Sequence, residues 1–262
     1  MGAAEGPPAG AARRLLHGAR RLQRRARWAL EDRRLTREQG RLELGPAHRN
    51  WRGNSAGENR ARWDGWDWSG AGEEWNASPE WKQALIDDVL ARWIPSGGAV
   101  LEIGPGAGRW SEPLLALASR LVLVDVSDMP LELCRRRFAG ADNVEYVRCR
   151  GSDLAPLADA SIDAVWSFDV LVHVAPLDQA SYLREIARVL APGGVAVLHH
   201  ADGRNRGLLP SRAGWRAPMS RELFVALARE RGLLVEEQLD SWGEHGRHHL
   251  GAFADAITVC RR

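Results

Sequence analysis

From Ser78 onward, short apolar runs alternate with stretches whose apolar residues recur every three or four positions. The runs Ala99–Ile103, Leu121–Val126, Val144–Arg148, Ile162–Phe168, Gly194–His200, Leu233–Leu239 and Ala256–Cys260 read as strands. Helices are expected at about 79–93, 109–118, 128–139, 177–190 and 220–231. Ser78 followed by Pro79 is a helix-start signal, Asp178 and Ser220 are further candidate caps, and Pro192-Gly193-Gly194 ends the helix before it. Buried strands alternating with amphipathic helices imply an α/β fold: a largely parallel sheet with helices on both faces.

The first 80 residues follow another pattern. Residues 1–12 are rich in Gly, Ala and Pro and read as disordered. Leu15, Ala19, Leu22, Ala26 and Leu30 then mark one apolar stripe on an arginine-covered helix over about 12–35. Such a helix suits solvent or a partner, an anionic surface or nucleic acid, or a targeting-like extension. Residues 45–79 lack periodicity and read as a loop, yet seven of the chain's 12 tryptophans fall between Trp51 and Trp93. So many indoles call for a surface to pack on, a substrate entrance to line, or both. The expected organisation is a start and basic helix (1–44), a Trp-rich cap (45–79) and one main α/β domain (80–262).

Composition narrows the class. The 262 residues are 45% hydrophobic and 27% charged, as in a soluble globular chain with a full core. A net charge of +2 hides an asymmetry, since residues 1–50 carry 12 arginines against five acidic residues. Cys134, Cys149 and Cys260 are far apart, which argues against structural zinc and for a reducing compartment. No apolar run approaches the roughly 18 residues of a membrane span, and no secretory h-region is visible, so a cytoplasmic location is expected.

The most informative turn is Glu102-Ile103-Gly104-Pro105-Gly106-Ala107-Gly108, between the first strand and its helix. Glycines at spacing two allow a tight turn and close approach of a ligand to the backbone. The loop lacks the Gly-Lys-Ser/Thr ending that grips a triphosphate. Glu102 would repel a pyrophosphate and attract an ammonium group. The second strand ends at Asp125, placed to accept both hydroxyls of a ribose. A ribose and an amino-acid group without phosphate describe S-adenosylmethionine.

Residues 80–260 resemble the class I S-adenosylmethionine-dependent methyltransferases of the small-molecule type, in four pieces: VLEIGPGAGRW, LVLVDVS, SIDAVWSFDVLVHV and YLREIARVLAPGGVAVLHH. The resemblance implies a Rossmann-like seven-stranded sheet in the order 3-2-1-4-5-7-6, its last strand antiparallel. It also implies that Glu102, Gly104, Gly106 and Gly108 cradle the methionine moiety and Asp125 holds the ribose. Val126, Ser127 and Met129 would lie near the adenosine, and Phe168 beside the cofactor. The acid that usually follows the third strand is replaced by Gly151 or Ser152, with Asp153 displaced.

Functional groups in such sheets gather at the carboxyl ends of the strands. Asp169 and His173 follow the fourth strand, and His199, His200 and Asp202 end the fifth. His200 is the expected general base for an alcohol acceptor, with His199 as the alternative and Asp169 and His173 as orienting groups. Strand alternation sends His199 and His200 to opposite faces. Magnesium on Asp169, His173, His200 and Asp202 is a less favoured use of the same residues, and no metal is assigned. Segments 45–79, 202–219 and 242–250 would build the acceptor site for a sugar, a glycosylated natural product or a polar aromatic, by O-methylation in the manner of secondary-metabolite enzymes. RNA or other N-methylation through the basic helix is the rival, although nucleic acid is disfavoured. An inactive cofactor-binding scaffold is another alternative, and self-association is left open.

Overall fold

The first strand, β1 (Ala99–Ile103), lies at the centre of a seven-stranded sheet, with β2 (Arg120–Asp125) on one side and β4 (Ile162–Ser167) on the other. The computed structural model describes residues 55–202, 216–217, 219–250 and 255–262. The disordered start, the basic helix and most of the 202–219 segment anticipated above lie outside the described residues. β3 (Val144–Arg148) flanks β2, and β5 (Leu190–Ala201) flanks β4, all parallel. β9 (Asp255–Arg261) then runs antiparallel between β5 and β6 (Leu234–Leu239). The order is β3-β2-β1-β4-β5-β9-β6. A two-stranded ribbon of β7 (Ser241–Trp242) and β8 (His248–His249) intervenes in the chain, so this is the expected 3-2-1-4-5-7-6 order.

Side chains alternate along these strands, so each strand feeds two cores. Val100, Leu121, Leu123 and Trp166 share one with Leu85 and Leu90 near α2 (Pro79–Leu85), Leu114 of α3 (Ser111–Leu117) and Leu131 of α4 (Asp128–Arg137). Leu101, Ile103, Val122 and Val165 share the other with Leu183 and Ile186 of α5 (Pro176–Val189) and Phe224 of α6 (Arg221–Glu230). Burial on both faces is why the strands read as continuous apolar runs.

Three expectations change. The 45–79 region is not all loop: α1 (Ala56–Asp64) is a helix, closed by a capping box in which Ser55 and Glu58 satisfy each other's backbone N–H. Two 3₁₀ turns follow, Trp68–Gly70 and Glu73–Trp75. Asp178 does not cap α5; Ala175 holds that position and Pro176 occupies the first turn, where a missing N–H costs nothing. Pro192-Gly193-Gly194 lies inside the irregular start of β5, because α5 has already ended at Val189. Ser78 and Ser220 do cap, accepting from the N–H of Trp81 and Leu223. Among the described residues no helix is long and apolar enough to cross a membrane.

Candidate active site

A cleft opens at the carboxyl ends of β1, β2 and β4. Its floor is the turn after β1. Gly104 and Gly106 have φ of 72° and 58°, the left-handed region that favours glycine. A Cβ at Gly104 would come within 2.4 Å of Val170, and one at Gly106 within 3.0 Å of Trp68. The turn therefore presents bare backbone to the cleft, which is what a closely bound ligand requires. Gly108 does not line it, since its missing Cβ faces Phe138 at 2.9 Å.

Asp125 closes β2 and lines the cleft at 8% exposure, with its Oδ1 accepting from the N–H of Ser127 at 2.8 Å. Burial pushes its carboxyl up to about 7, against the pull of the Ser127 and Val126 backbone N–H groups. A buried acceptor with little competing solvent is well matched to a vicinal diol. Val126, Gly151 and Phe168 also line the cleft, as does Pro130, which carried no sequence signal. Ser127 is buried behind Asp125, Met129 is 44% exposed, and Ser152 bonds Asp178; none of these three lines the cleft. Glu102 is also set back. It is 1% exposed, its Oε2 accepts from Ser111 Oγ at 2.5 Å, and burial raises its carboxyl to about 8.

The segment from α1 to Trp75 forms the roof. Trp63, Trp68 and Trp75 line the cleft, and with Trp66 they pack edge-on or tilted at centroid distances of 5.5–6.1 Å. These indoles pack on the domain, and Trp63, Trp68 and Trp75 also face the cleft. The roof is tied down by Asn59 Nδ2 donating to the His173 carbonyl at 2.8 Å and by Ser127 Oγ bonding the Asp64 carboxylate. Arg60 adds an ion pair to Asp128 at 3.9 Å.

The histidines separate. His173 lines the cleft, edge-on to Trp63 at 5.2 Å, and Asp169 lines it nearby. His199 is 2% exposed and lies behind Phe168, its ring stacked on that residue at 4.3 Å. His200 is fully buried on the opposite face, stacked on Phe224 of α6 at 3.8 Å. Its Nδ1 faces the Ala201 carbonyl at 2.9 Å and its Nε2 faces Thr258 Oγ1 at 2.7 Å. Burial lowers its pKa to about 4. The expectation that His200 acts as base is therefore corrected: both ring nitrogens are committed and the ring does not line the cleft. His200→Ala should leave cofactor affinity unchanged while costing about 2–4 kcal/mol of stability, read by urea unfolding, through a lost stack, the cavity left behind and a lost hydrogen bond to Thr258, which keeps its bond from Gln238. A loss of cofactor affinity without loss of stability would restore His200 to the site.

Asp169, His173, His200 and Asp202 do not converge; Asp202 instead pairs with Arg221 at 2.9 Å. Among the described residues no three His, Cys, Asp or Glu side chains form a metal-binding group. The 242–249 ribbon packs away from the cleft, with Trp242 buried against Trp81 at 4.9 Å. Arg109 and Trp110 do line the cleft, though sequence reasoning assigned them no role; their only signal was their place directly after the third glycine.

Residues 101–198 match the family model described as "Methyltransferase domain". The chain is 37% identical over 139 residues to the dimethylglycine N-methyltransferase of Parasynechococcus marenigrum, covering 51% of this chain and 48% of that protein. It is 33% identical over 157 residues to a putative O-methyltransferase of Mycobacterium bovis, covering 57% of this chain and 64% of that one. The chain thus spans about half to two-thirds of the length of these curated relatives. Among solved structures it resembles the complex between the Haloferax volcanii Trm112 methyltransferase activator and the putative methyltransferase. That likeness has a TM-score of 0.57 and 24% identity, covering 77% of this chain and 96% of that one, and it speaks to the fold. The match to a methyltransferase domain covers β1 to β5, and the sheet order is the one that the resemblance implied. The two curated relatives are thus an N-methyltransferase and a putative O-methyltransferase by name.

Proposed function

We propose that this protein transfers the methyl group of S-adenosylmethionine to a hydroxyl of a small acceptor held under the tryptophan roof, with His173 as the proton acceptor. One observation carries the reading: a single cleft joins the bare glycine turn and Asp125 to His173, the only histidine lining it among the described residues. Gly104 and Gly106 leave room for the cofactor's backbone contacts, and Asp125 would hold its ribose. Bound there, S-adenosylmethionine supplies an electrophilic methyl on a sulfonium sulfur. The chain aligns the acceptor for in-line attack, and Trp63, Trp68 and Trp75 exclude water. His173 receives the acceptor proton as the oxygen attacks. Indole faces suit an aromatic ring or the apolar face of a sugar, which supports a polar aromatic or sugar-bearing acceptor of the kind found in secondary metabolism.

An amine acceptor is the second reading, favoured by the similarity to an N-methyltransferase. Incubation with methyl-labelled S-adenosylmethionine and a panel of phenols, glycosides and secondary amines separates the two. Label on a hydroxyl compound is the expected result. Label only on amines selects the second reading, and cofactor binding without transfer to any compound would point to a scaffold.

A further inference from the structure

The main chain that carries His173 is held from several elements at once. His173 ends the 3₁₀ turn Leu171–His173, which follows β4. Within the turn, the Val170 carbonyl accepts from the N–H of His173 at 2.9 Å and the Leu171 carbonyl from that of Val174 at 3.1 Å. Gln179 of α5 is fully buried, and its Nε2 donates to the carbonyls of Leu171 at 2.9 Å and Val174 at 2.7 Å, bracketing the turn. The N–H of Ala217 donates to the Val172 carbonyl at 2.6 Å. At the head of the turn, Asp169 has a left-handed φ of 60° and is pinned by Arg109 Nη2 at 2.6 Å. The carbonyl of His173 itself is bonded from the roof, by Asn59 Nδ2 at 2.8 Å.

Asn59 is the residue that α1 buries, at 5% exposure. A buried amide is costly unless it is paired, and here its Oδ1 accepts from Arg62 Nη1 at 3.3 Å while its Nδ2 serves His173. Trp63 lies one helical turn on, on the same face of α1, and sets its ring edge-on to the imidazole at 5.2 Å. The Trp63 carbonyl accepts from Trp68 Nε1 at 3.0 Å, and Trp68 rests against Gly106. One short helix therefore touches both the main chain and the ring of His173, and the indole tied to it covers the glycine turn.

We infer that Asn59 is a positioning residue for the proposed methyl transfer, tying His173 to the roof so that the imidazole is in register only when the roof is closed over the acceptor. The inference rests on the reading of His173 as proton acceptor. Its physical basis is that a base must sit within hydrogen-bond reach of the proton it takes, and a displacement of about 1 Å costs on the order of 100-fold in rate. The same bond makes enclosure and base placement one event. A base set only beneath the roof does not activate water while the cleft is open.

Asn59→Asp keeps the shape of the side chain and the bond from Arg62 but removes the donor; Asn59→Leu removes both. Each should slow transfer to a hydroxyl compound labelled in the acceptor panel by about 10-fold or more, with S-adenosylhomocysteine affinity within about 3-fold of wild type. Acylation by diethyl pyrocarbonate, read by peptide mass spectrometry, follows the same contact without an acceptor. His173 should react about 5-fold faster or more in both variants than in the wild type. Exposed His245 should react at the wild-type rate and fully buried His200 should stay unreactive, which shows that the variants are folded. Unchanged transfer, unchanged acylation of His173, or equal losses of transfer rate and cofactor affinity would overturn the role of Asn59. A His173→Gln variant as fast as wild type, or a panel in which no hydroxyl compound is labelled, would overturn the reading of His173 itself, and this inference with it.

Discussion

Asp125→Ala should weaken S-adenosylhomocysteine binding by about 100-fold, or roughly 2.8 kcal/mol, while leaving the fold intact. The effect is large because a carboxylate at this position would accept from both ribose hydroxyls in a buried setting, where each such bond contributes about 1.5–3 kcal/mol. The fold should tolerate the change, because Asp125 is a costly group in the free protein: burial raises its carboxyl to about 7. A carboxyl raised above its unfolded value favours the fold fully below about pH 4, and that contribution is lost as pH rises through about 7. The ionised form is the better double acceptor. Wild-type affinity should therefore tighten between about pH 6 and pH 8, and the thermal shift produced by the ligand should grow with it. Asp125→Ala should abolish that pH dependence. Unchanged affinity in the variant would remove the ribose from this residue.

His173→Gln should slow methyl transfer to a hydroxyl acceptor by about 100-fold or more, with S-adenosylhomocysteine affinity within about 2-fold of wild type. Glutamine keeps a polar group against Trp63 but cannot accept a proton at neutral pH. The main-chain bond from Asn59 to residue 173 survives the change, so the roof should stay docked. An amine that reaches the site already neutral needs no base before attack, so its transfer rate should barely change. The ratio of the two rates therefore reads the acceptor class as well as the residue. Equal rates in variant and wild type on a hydroxyl acceptor would remove His173 as base.

The sheet was readable from the sequence because strands buried on both faces, from Val100-Leu101 to Val195–Leu198, leave continuous apolar runs that helices do not imitate at that length. The glycine turn and Asp125 were readable because each is a local signal at a strand end. The roof was not. α1 is a nine-residue helix, AGENRARWD, with little apolar periodicity, held by a capping box and by contacts to Asp128, Ser127 and His173 that no local pattern reveals. Its capping signal, Ser55 followed by Glu58, was present but was outweighed by the surrounding Gly and Asn. The histidines show a different limit. Alternation correctly separated His199 from His200, yet period two does not say whether either ring reaches the cleft; Phe168 stacks on one and Phe224 on the other. The Arg109–Asp169 pair is formed by residues 60 positions apart and exists only once β1 and β4 are neighbours.

A crystal structure with S-adenosylhomocysteine bound would test the central claim most directly. The ribose hydroxyls should lie within hydrogen-bonding distance of Asp125 at the end of β2, with the sulfur turned toward the His173 side of the cleft. Density for the ligand outside this cleft, or a ribose facing away from Asp125, would contradict it.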